Sequence, residues 1–343
     1  RQSCRRRFCL WASQGSHQIQ GEGREEGPER RRREEVAFSD TCVSAGVRFG
    51  CAPFLRAQTV VSPVEDTRRA AGIAGRGLRE APIMEVFASI QGEGLYVGQP
   101  QVFLRLAGCP LRCTWCDTPG SWALRAAGVA RIMTPEGPLR EDAWATPLQA
   151  LTYIGAVEPR EPRTVSITGG EPLLWPDFLL ALATMVGERP LHLETAGAHP
   201  EALARVADIF DHISLDLKLP QDLGPPVELL GLPESEEFPR EAVPTQASEW
   251  RNARRACLEL IAERDACAKV VVAGGRQIHD YAPLLEDLAN LAPEVPLYLQ
   301  PATPMGGVKA PESEFLEDLL EDARDLGLTV RVVPQVHRFM GIA

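Results

Sequence analysis

From about residue 83 onward, short apolar segments alternate with longer amphipathic ones. The short segments, such as Val270-Val271-Val272, are almost continuously apolar, which is typical of strands buried on both faces of a sheet. This alternation predicts an α/β fold with a parallel sheet and crossover helices, arranged as an incomplete parallel (βα) barrel of about six strands. The predicted strands span residues 102–107, 164–168, 191–195, 212–218, 268–273, 296–300 and 329–333. The predicted helices span residues 147–157, 177–186, 200–206, 249–263, 281–291 and 312–326.

Three segments do not follow this alternation of predicted strands and helices. Residues 1–81 carry 15 arginines and 10 acidic residues with few periodic apolar positions, whereas the rest of the chain carries 21 basic and 37 acidic residues. Because such a segment cannot offset the entropy of its own ordering, we expect an unstructured leader, or upstream sequence translated from the wrong start. The folded domain is then predicted to occupy residues 82–343. Residues 125–146 and 220–247 are rich in glycine, proline and acidic residues, and are predicted to be surface insertions.

Charge and hydropathy exclude two classes of function. A net charge of −11 argues against general nucleic-acid binding, because the chain would repel phosphates. The sequence has no apolar run of about 18 residues, so no membrane-spanning helix is expected. The arginine-rich start is not followed by the apolar segment of an export signal, and we therefore expect a cytoplasmic protein.

Cys109, Cys113 and Cys116 form a C-x3-C-x2-C run directly after a predicted strand. Three thiolates at this spacing can ligate three irons of a [4Fe–4S] cluster and leave the fourth iron open, whereas an electron-transfer cluster takes four cysteines. On the cysteines alone, a zinc site and inert thiols remain alternatives. The run, with Trp115 just before its last cysteine, resembles the signature of the radical S-adenosylmethionine (SAM) enzymes.

Polar residues also follow several other predicted strands. They are Thr168 with Gly169-Gly170-Glu171, then Glu194, Asp216 with Lys218, and Gln300. In parallel barrels the carboxyl ends of the strands meet at one rim, where ligands bind. The two glycines allow a close approach of the backbone to a ligand, although a simple tight turn would also use them.

Together these motifs resemble the 7-carboxy-7-deazaguanine synthase family of radical SAM enzymes, over roughly residues 83–343. The resemblance implies conversion of 6-carboxy-5,6,7,8-tetrahydropterin to 7-carboxy-7-deazaguanine with loss of ammonia, in queuosine or deazapurine biosynthesis. It implies a [4Fe–4S] cluster, SAM and Mg²⁺ as cofactors. The motifs that carry it lie at residues 89–94, 105–109, 115–118, 168–172, 193–195, 216–220 and 333–337, the last of which matches the family's closing strand.

The resemblance also implies a role for individual residues. The three cysteines would hold the cluster, and Thr118 would place its hydroxyl on Mg²⁺, although an N-cap or turn role for this threonine is an alternative. Arg105 would bind the substrate carboxylate through its planar fork, unless it forms an ion pair with Glu85 or Glu93. Contacts to the pterin are expected from Ile90, Gln91, Gly92, Glu93, Arg105 and Thr168, with His337 as a further candidate. Contacts to SAM are expected from Trp115, Gly170, Glu171, Glu194, Asp216, Lys218 and Gln300.

Two other kinds of protein fit part of this pattern. A glycyl-radical activating enzyme uses the same cysteine run but acts on a protein and does not need a pterin site. A non-catalytic iron–sulfur or zinc module has no use for the polar residues at successive strand ends. The resemblance further implies a flavodoxin- or ferredoxin-type electron donor and a homodimer.

Overall fold

The computed structural model describes residue 77 and residues 79–342, apart from residues 126–127, 159–160, 231 and 233–239. The predictions for residues 1–76 therefore lie outside the described residues. Within the described ranges, no helix is both long and apolar enough to cross a membrane.

Eleven strands form one sheet in the order β13-β12-β11-β9-β8-β7-β2-β1-β4-β5, with β6 paired to β1, and β3 pairs separately with β10. The seven strands from β2 to β13 in this order run parallel to their neighbours. They make the predicted incomplete parallel barrel, and the fold class is confirmed. The strands are β1 Ala81–Ile90, β2 Pro100–Leu106, β3 Arg112–Cys113, β4 Val129–Thr134, β5 Gly137–Asp142, β6 Trp144–Ala145, β7 Thr164–Gly169, β8 Leu191–Thr195, β9 His212–Asp216, β10 Leu223–Gly224, β11 Ala266–Val272, β12 Leu297–Pro301 and β13 Val330–Val332.

Helices connect the successive parallel strands and cover the outside of the sheet. The first begins with a capping box, in which the Thr146 hydroxyl accepts from the Gln149 amide and the Gln149 side chain accepts from the Thr146 amide. Proline at the first helical position reinforces this start. The helices are α1 Pro147–Val157, α2 Pro176–Ala183, α3 Pro200–Val206, α4 Ala247–Ile261, α5 Ile278–Leu291, α6 Ser313–Asp325 and α7 Val336–Met340.

The two faces of the parallel strands differ in polarity. In β8, Leu191 and Leu193 belong to the hydrophobic core. The alternate residues His192 and Glu194 take part in hydrogen bonds with side chains of neighbouring strands. The same alternation holds along β9. The strands are therefore apolar towards the helices and polar towards the barrel interior, as strict side-chain alternation requires.

The loop after β1 runs into this polar interior. Gly94 adopts the left-handed conformation at φ +62°, and a Cβ atom there would lie 3.3 Å from the Cys267 sulfur on β11. Tyr96 packs edge-on against the rings of His192 and His212, with centroid distances of 5.8 and 4.6 Å. The loop therefore occupies part of the space between the strands and forms one wall of the interior.

Three elements differ from the sequence-based prediction. The sequence predicts no strand before residue 102, but in the structure β1 precedes β2 and pairs with it antiparallel. Part of the predicted insertion at 125–146 extends the sheet, because β4 and β5 form a hairpin beside β1. No part of the closing segment 333–337 is a strand, because β13 ends at Val332 and α7 begins at Val336.

Leu179 and Leu148 offer a matched test of the core. Leu179 is fully buried in α2, whereas Leu148 in α1 is 63% exposed. We expect Leu179→Ala to lower the free energy of unfolding by about 2–5 kcal/mol, since it leaves a cavity among packed side chains. Leu148→Ala should change it by less than about 0.5 kcal/mol. Urea denaturation of both variants checks this, and equal losses would contradict the assignment of the core.

Candidate functional site

A cavity of about 190 Å³ opens at the carboxyl ends of the parallel strands. Every residue for which the sequence predicts a ligand contact lines this cavity, except Glu171. The predicted residues that line it are Ile90, Gln91, Gly92, Glu93, Arg105, Cys109, Cys113, Trp115, Cys116, Thr118, Thr168, Gly170, Glu194, Asp216, Lys218, Gln300 and His337.

The three cysteines lie on the segment that follows β2, with Cys113 in the short strand β3, and have free thiols. Arg112 holds this loop, because its guanidinium donates to the carbonyls of Cys109 and Leu111 at 2.8 and 2.7 Å. Burial raises the pKa of the Cys109 thiol to about 12, and the thiols of Cys113 and Cys116 have raised pKa values for the same main reason. The three thiols face one cavity, with Cys109 buried and Cys113 and Cys116 half-buried, and a bound cation would stabilise them as thiolates. This donor set therefore fits a metal cluster.

Two glycines bring the end of β7 against the cysteine loop. A Cβ atom on Gly169 would lie 2.2 Å from the Leu106 carbonyl oxygen, and one on Gly170 would lie 2.1 Å from the Gly108 carbonyl oxygen. The Gly170 amide donates to Leu106 at 2.9 Å, and the next amide donates to Gly108 at the same distance. The backbones are in direct contact, which leaves no room for a side chain at either glycine.

Glu171 lies behind this contact rather than in the cavity wall. Its carboxylate is fully buried and accepts from the Thr195 hydroxyl at 2.8 Å and from the amides of Leu173 and Ala196 at 3.0 and 2.9 Å. The structure therefore gives Glu171 the role of joining the β7 loop to the end of β8. A direct contact between its carboxylate and a ligand stays a prediction.

A row of alternating charges crosses the cavity. Lys269 on β11 lies 2.8 Å from the Glu93 carboxylate and 3.2 Å from the Asp216 carboxylate, and Lys218 lies 2.7 Å from the other Asp216 oxygen. Burial opposes the charge on Lys269, but Asp216 and Glu93 raise its pKa well above the usual range. Burial likewise opposes ionisation of Asp216, yet Lys218 and Lys269 hold its pKa below the usual range. The row thus joins a predicted pterin contact to the predicted SAM contacts.

Glu194 makes a second connection between these two groups. One carboxylate oxygen accepts from the Gln91 amide at 2.8 Å and from the Ser166 hydroxyl at 2.9 Å. The other accepts from the Thr168 hydroxyl at 3.3 Å. The side chain predicted to bind the SAM ribose is therefore fixed by two of the predicted pterin contacts.

Arg105 forms one of the ion pairs that the sequence offers as an alternative. Its Nε donates to Glu85 at 2.9 Å, while its NH1 group lies 3.4 Å from the Thr118 hydroxyl at the cavity wall. Thr118 is the N-cap of the 3₁₀ turn Pro119–Ser121, but its hydroxyl makes no capping hydrogen bond and donates instead to Asp117 at 2.8 Å. Both polar groups thus remain placed for a ligand.

Sequence reasoning did not assign three residues that shape the cavity. Lys269 carries a visible signal, since it is a lysine within an otherwise apolar strand. Asp117 and Gln335 lie inside motifs but have no predicted role. The ligand atoms of Glu93, Asp117 and His337 lie within 4.8 Å of one another. The amide of Gln335 donates to both carboxylates of this group.

Comparison with known proteins identifies the family. Residues 104–229 match the model of the Radical SAM superfamily. A 7-carboxy-7-deazaguanine synthase from Methanothermobacter thermautotrophicus is 35% identical over 77% of this chain and 99% of the relative. The chain belongs to the 7-carboxy-7-deazaguanine synthase family.

Two further relatives named 7-carboxy-7-deazaguanine synthase are similar to the chain over most of its length. The relative from Methanopyrus kandleri is 34% identical over 78% of this chain and 98% of its own length. That from Geobacter sulfurreducens is 32% identical over 76% of this chain and 97% of its own length. The crystal structure of QueE from Escherichia coli is 22% identical with a TM-score of 0.43, over 78% of this chain and 98% of that one. Membership of the radical SAM superfamily implies a [4Fe–4S] cluster and SAM, which the three thiols at the cavity suit.

The contact between Gly170 and the cysteine loop leads to a direct test. We expect Gly170→Ala to displace the loop, since an added Cβ meets backbone atoms that cannot rotate away, at a cost of about 1–3 kcal/mol. The iron and sulfide bound per chain after anaerobic reconstitution should fall. Gly155→Ala is the matched control, because nothing lies within 4 Å of a Cβ there and alanine favours its helix. Equal cluster loading in both variants would contradict this interpretation.

Proposed function

We propose that this chain converts 6-carboxy-5,6,7,8-tetrahydropterin to 7-carboxy-7-deazaguanine, with loss of ammonia, as a radical SAM enzyme. The observation that carries the proposal is the composition of one cavity wall. Three cysteine thiols, the glycine pair at the end of β7 and the loop residues 90–93 all line it. These are the positions to which the family resemblance assigns cluster, SAM and pterin contacts.

The chain's own residues would bind and orient two ligands side by side. When bound, the cluster and SAM supply the radical chemistry that removes hydrogen from C6 of the substrate. Gly170 would offer backbone atoms to the amino acid part of SAM, and Glu194 would bind its ribose. Trp115 lies over the Lys218 ammonium at 4.4 Å, which holds the indole at the cavity wall as a surface for the adenine. A closed, ordered site of this kind limits side reactions of a radical.

The pterin would lie on the side formed by the loop after β1 and the end of β2. Gln91 and Glu93 have hydrogen-bonding partners on Glu194 and Lys269, so neither side chain has to be ordered when the substrate binds. Arg105 would pair with the substrate carboxylate through its terminal nitrogens, while its Nε stays on Glu85.

Mg²⁺ belongs to the same proposal. The Thr118 hydroxyl would be its protein ligand, with the remaining positions taken by substrate and water, as is common for this ion. The neighbouring carboxylates of Asp117 and Glu93 add negative charge within reach of such an ion. Loss of product formation on Mg²⁺ depletion, reversed by adding Mg²⁺, would support this part.

We also propose a flavodoxin- or ferredoxin-type electron donor and a homodimeric working state, both carried over from the resemblance. A glycyl-radical activating enzyme is the alternative that shares the cysteine run. The partly buried Gln91–Glu194 and Glu93–Lys269 pairs favour the pterin enzyme, because they build a polar compartment beside the cysteines that a protein substrate does not require.

The decisive experiment is an assay of the anaerobically reconstituted protein for 5′-deoxyadenosine, with and without the carboxypterin. We expect Cys113→Ala to abolish SAM cleavage without unfolding the barrel, because three thiolates are the minimum for the cluster. Cys257→Ala is the control, since Cys257 is buried in α4 away from the cavity. Full turnover by the Cys113→Ala variant would refute the cluster assignment. If the wild-type protein forms the same amount of 5′-deoxyadenosine with and without the carboxypterin, the proposed substrate is wrong.

The role of Arg105 has its own test. Arg105→Lys keeps the charge but loses the planar fork, and we expect kcat/KM for the pterin to fall by about one to two decades, which corresponds to about 1.5–3 kcal/mol. SAM affinity should stay nearly constant. Glu85→Gln, which removes the ion pair and keeps the guanidinium, should change kcat/KM by less than about threefold. If Arg105→Lys and Glu85→Gln change kcat/KM equally, or if Arg105→Lys lowers the affinity for both SAM and the pterin, then Arg105 forms the ion pair with Glu85 and does not bind the substrate.

A further inference from the structure

The Gln335 side chain has every hydrogen-bonding group of its amide engaged at the cavity. Its nitrogen donates to Glu93 Oε1 at 2.9 Å and to Asp117 Oδ2 at 3.0 Å, and its oxygen accepts from the Thr303 hydroxyl at 2.6 Å. The residue is 8% exposed. A flipped amide would place its oxygen against two carboxylates, so these three partners fix its orientation.

A neutral amide suits this position for an electrostatic reason. Glu93 and Asp117 carry like charges that repel each other, and both belong to the same group of ligand atoms within 4.8 Å. Two N–H donors on one nitrogen stabilise both charges and hold them at one spacing. Lys269 and Arg338 each pair with one of the two carboxylates from other directions, at 2.8 and 3.5 Å. Gln335 is the group that contacts both.

The backbone around Gln335 is held against the same loop. The Val336 amide donates to the Gly92 carbonyl at 3.0 Å. A Cβ atom on Gly92 would lie 2.1 Å from the His337 ring nitrogen, so this glycine lets the ring pack directly on the loop. The start of α7 therefore brings the Gln335 amide to Glu93 at a defined place.

We propose that Gln335 is a positioning residue for the pterin subsite. It acts through two side chains: Glu93, which the family resemblance places on the substrate, and Asp117, which accepts a hydrogen bond from the Thr118 hydroxyl. Its side-chain hydrogen bonds go to Glu93, Asp117 and Thr303, and none of these residues is assigned to SAM. The proposal rests on the proposed function, since it assigns Glu93 and Thr118 to the substrate side of the cavity.

Two substitutions test the N–H donors of Gln335 independently of the size and length of its side chain. Gln335→Glu keeps the size and the acceptor for Thr303 but turns the two donors into an oxygen that faces two carboxylates. Gln335→Met keeps the length and removes the donors without adding charge. We expect the Kd of the reconstituted protein for the carboxypterin to rise at least about tenfold in the Met variant and further in the Glu variant. The Kd for SAM should change by less than about threefold.

Arg338→Gln is the matched control. It removes the other contact between the C-terminal segment and Asp117, a longer ion pair on a side chain that is 40% exposed, and leaves the Gln335 amide in place. Such a pair contributes little, so the pterin Kd should stay within about threefold of the wild-type value.

Thr303→Val provides a second test that does not depend on changing Gln335. Without the hydroxyl the amide is free to rotate, and we expect a several-fold weaker pterin affinity. Adding Gln335→Met to this variant should cost much less than it does in the wild type, because both changes disrupt the same arrangement. Fully additive effects would overturn the proposal.

Other outcomes distinguish a failure of the positioning role of Gln335 from a failure of the proposed function. Wild-type pterin affinity in the Met and Glu variants overturns the positioning role alone. An equal loss of SAM and pterin affinity, together with a lower melting temperature, assigns Gln335 a purely structural role and overturns it as well. If the wild-type protein binds no carboxypterin, the proposed function itself fails, and the role of Gln335 fails with it.

Discussion

The site depends on one place where two strand ends touch through backbone atoms alone. Gly169 and Gly170 approach the carbonyls of Leu106 and Gly108 so closely that no side chain fits between them. This contact fixes the cysteine loop, which follows β2, to the end of β7. Because Glu171 then ties β7 to β8, three consecutive strand ends are joined by short hydrogen bonds. The positions of the thiols are set by the sheet rather than by the loop that carries them.

The polar interior explains how a barrel with open edges keeps its shape. Seven parallel strands do not close on themselves, and the loop after β1 enters the interior instead. Its Glu93 would be costly to bury alone, but Lys269 neutralises it. Burial also holds the pKa of His192 well below its usual range, so the imidazole stays neutral while bonded to Ser214 at 2.8 Å. The charges of Glu93, Lys269, Asp216 and Lys218 are therefore paired, and His192 adds none. The Glu194 carboxylate is held by neutral donors instead.

The sequence predicts the repeating architecture well because each parallel strand and helix has its own local apolar pattern. It misses β1 and the β4–β5 hairpin because these lie beyond the parallel strands at one end of the sheet, where pairing depends on tertiary contacts. The motifs likewise identify most of the cavity wall. They do not reveal the partners of Glu93, since Lys269 lies 176 residues away in the chain. Nor do they show that Glu171 is enclosed by the backbone, because burial is a property of the assembled strands.

The contact between Gln335 and Glu93 spans 242 residues, and Gln335 follows β13 in the chain. During synthesis the strands from β1 to β12 emerge from the ribosome before the residue that completes this corner of the cavity. Contacts between residues so far apart in sequence also form slowly, because closing a long loop costs entropy. This corner of the pterin side is therefore completed only after the segment that follows β13 has been made and packs on the loop after β1.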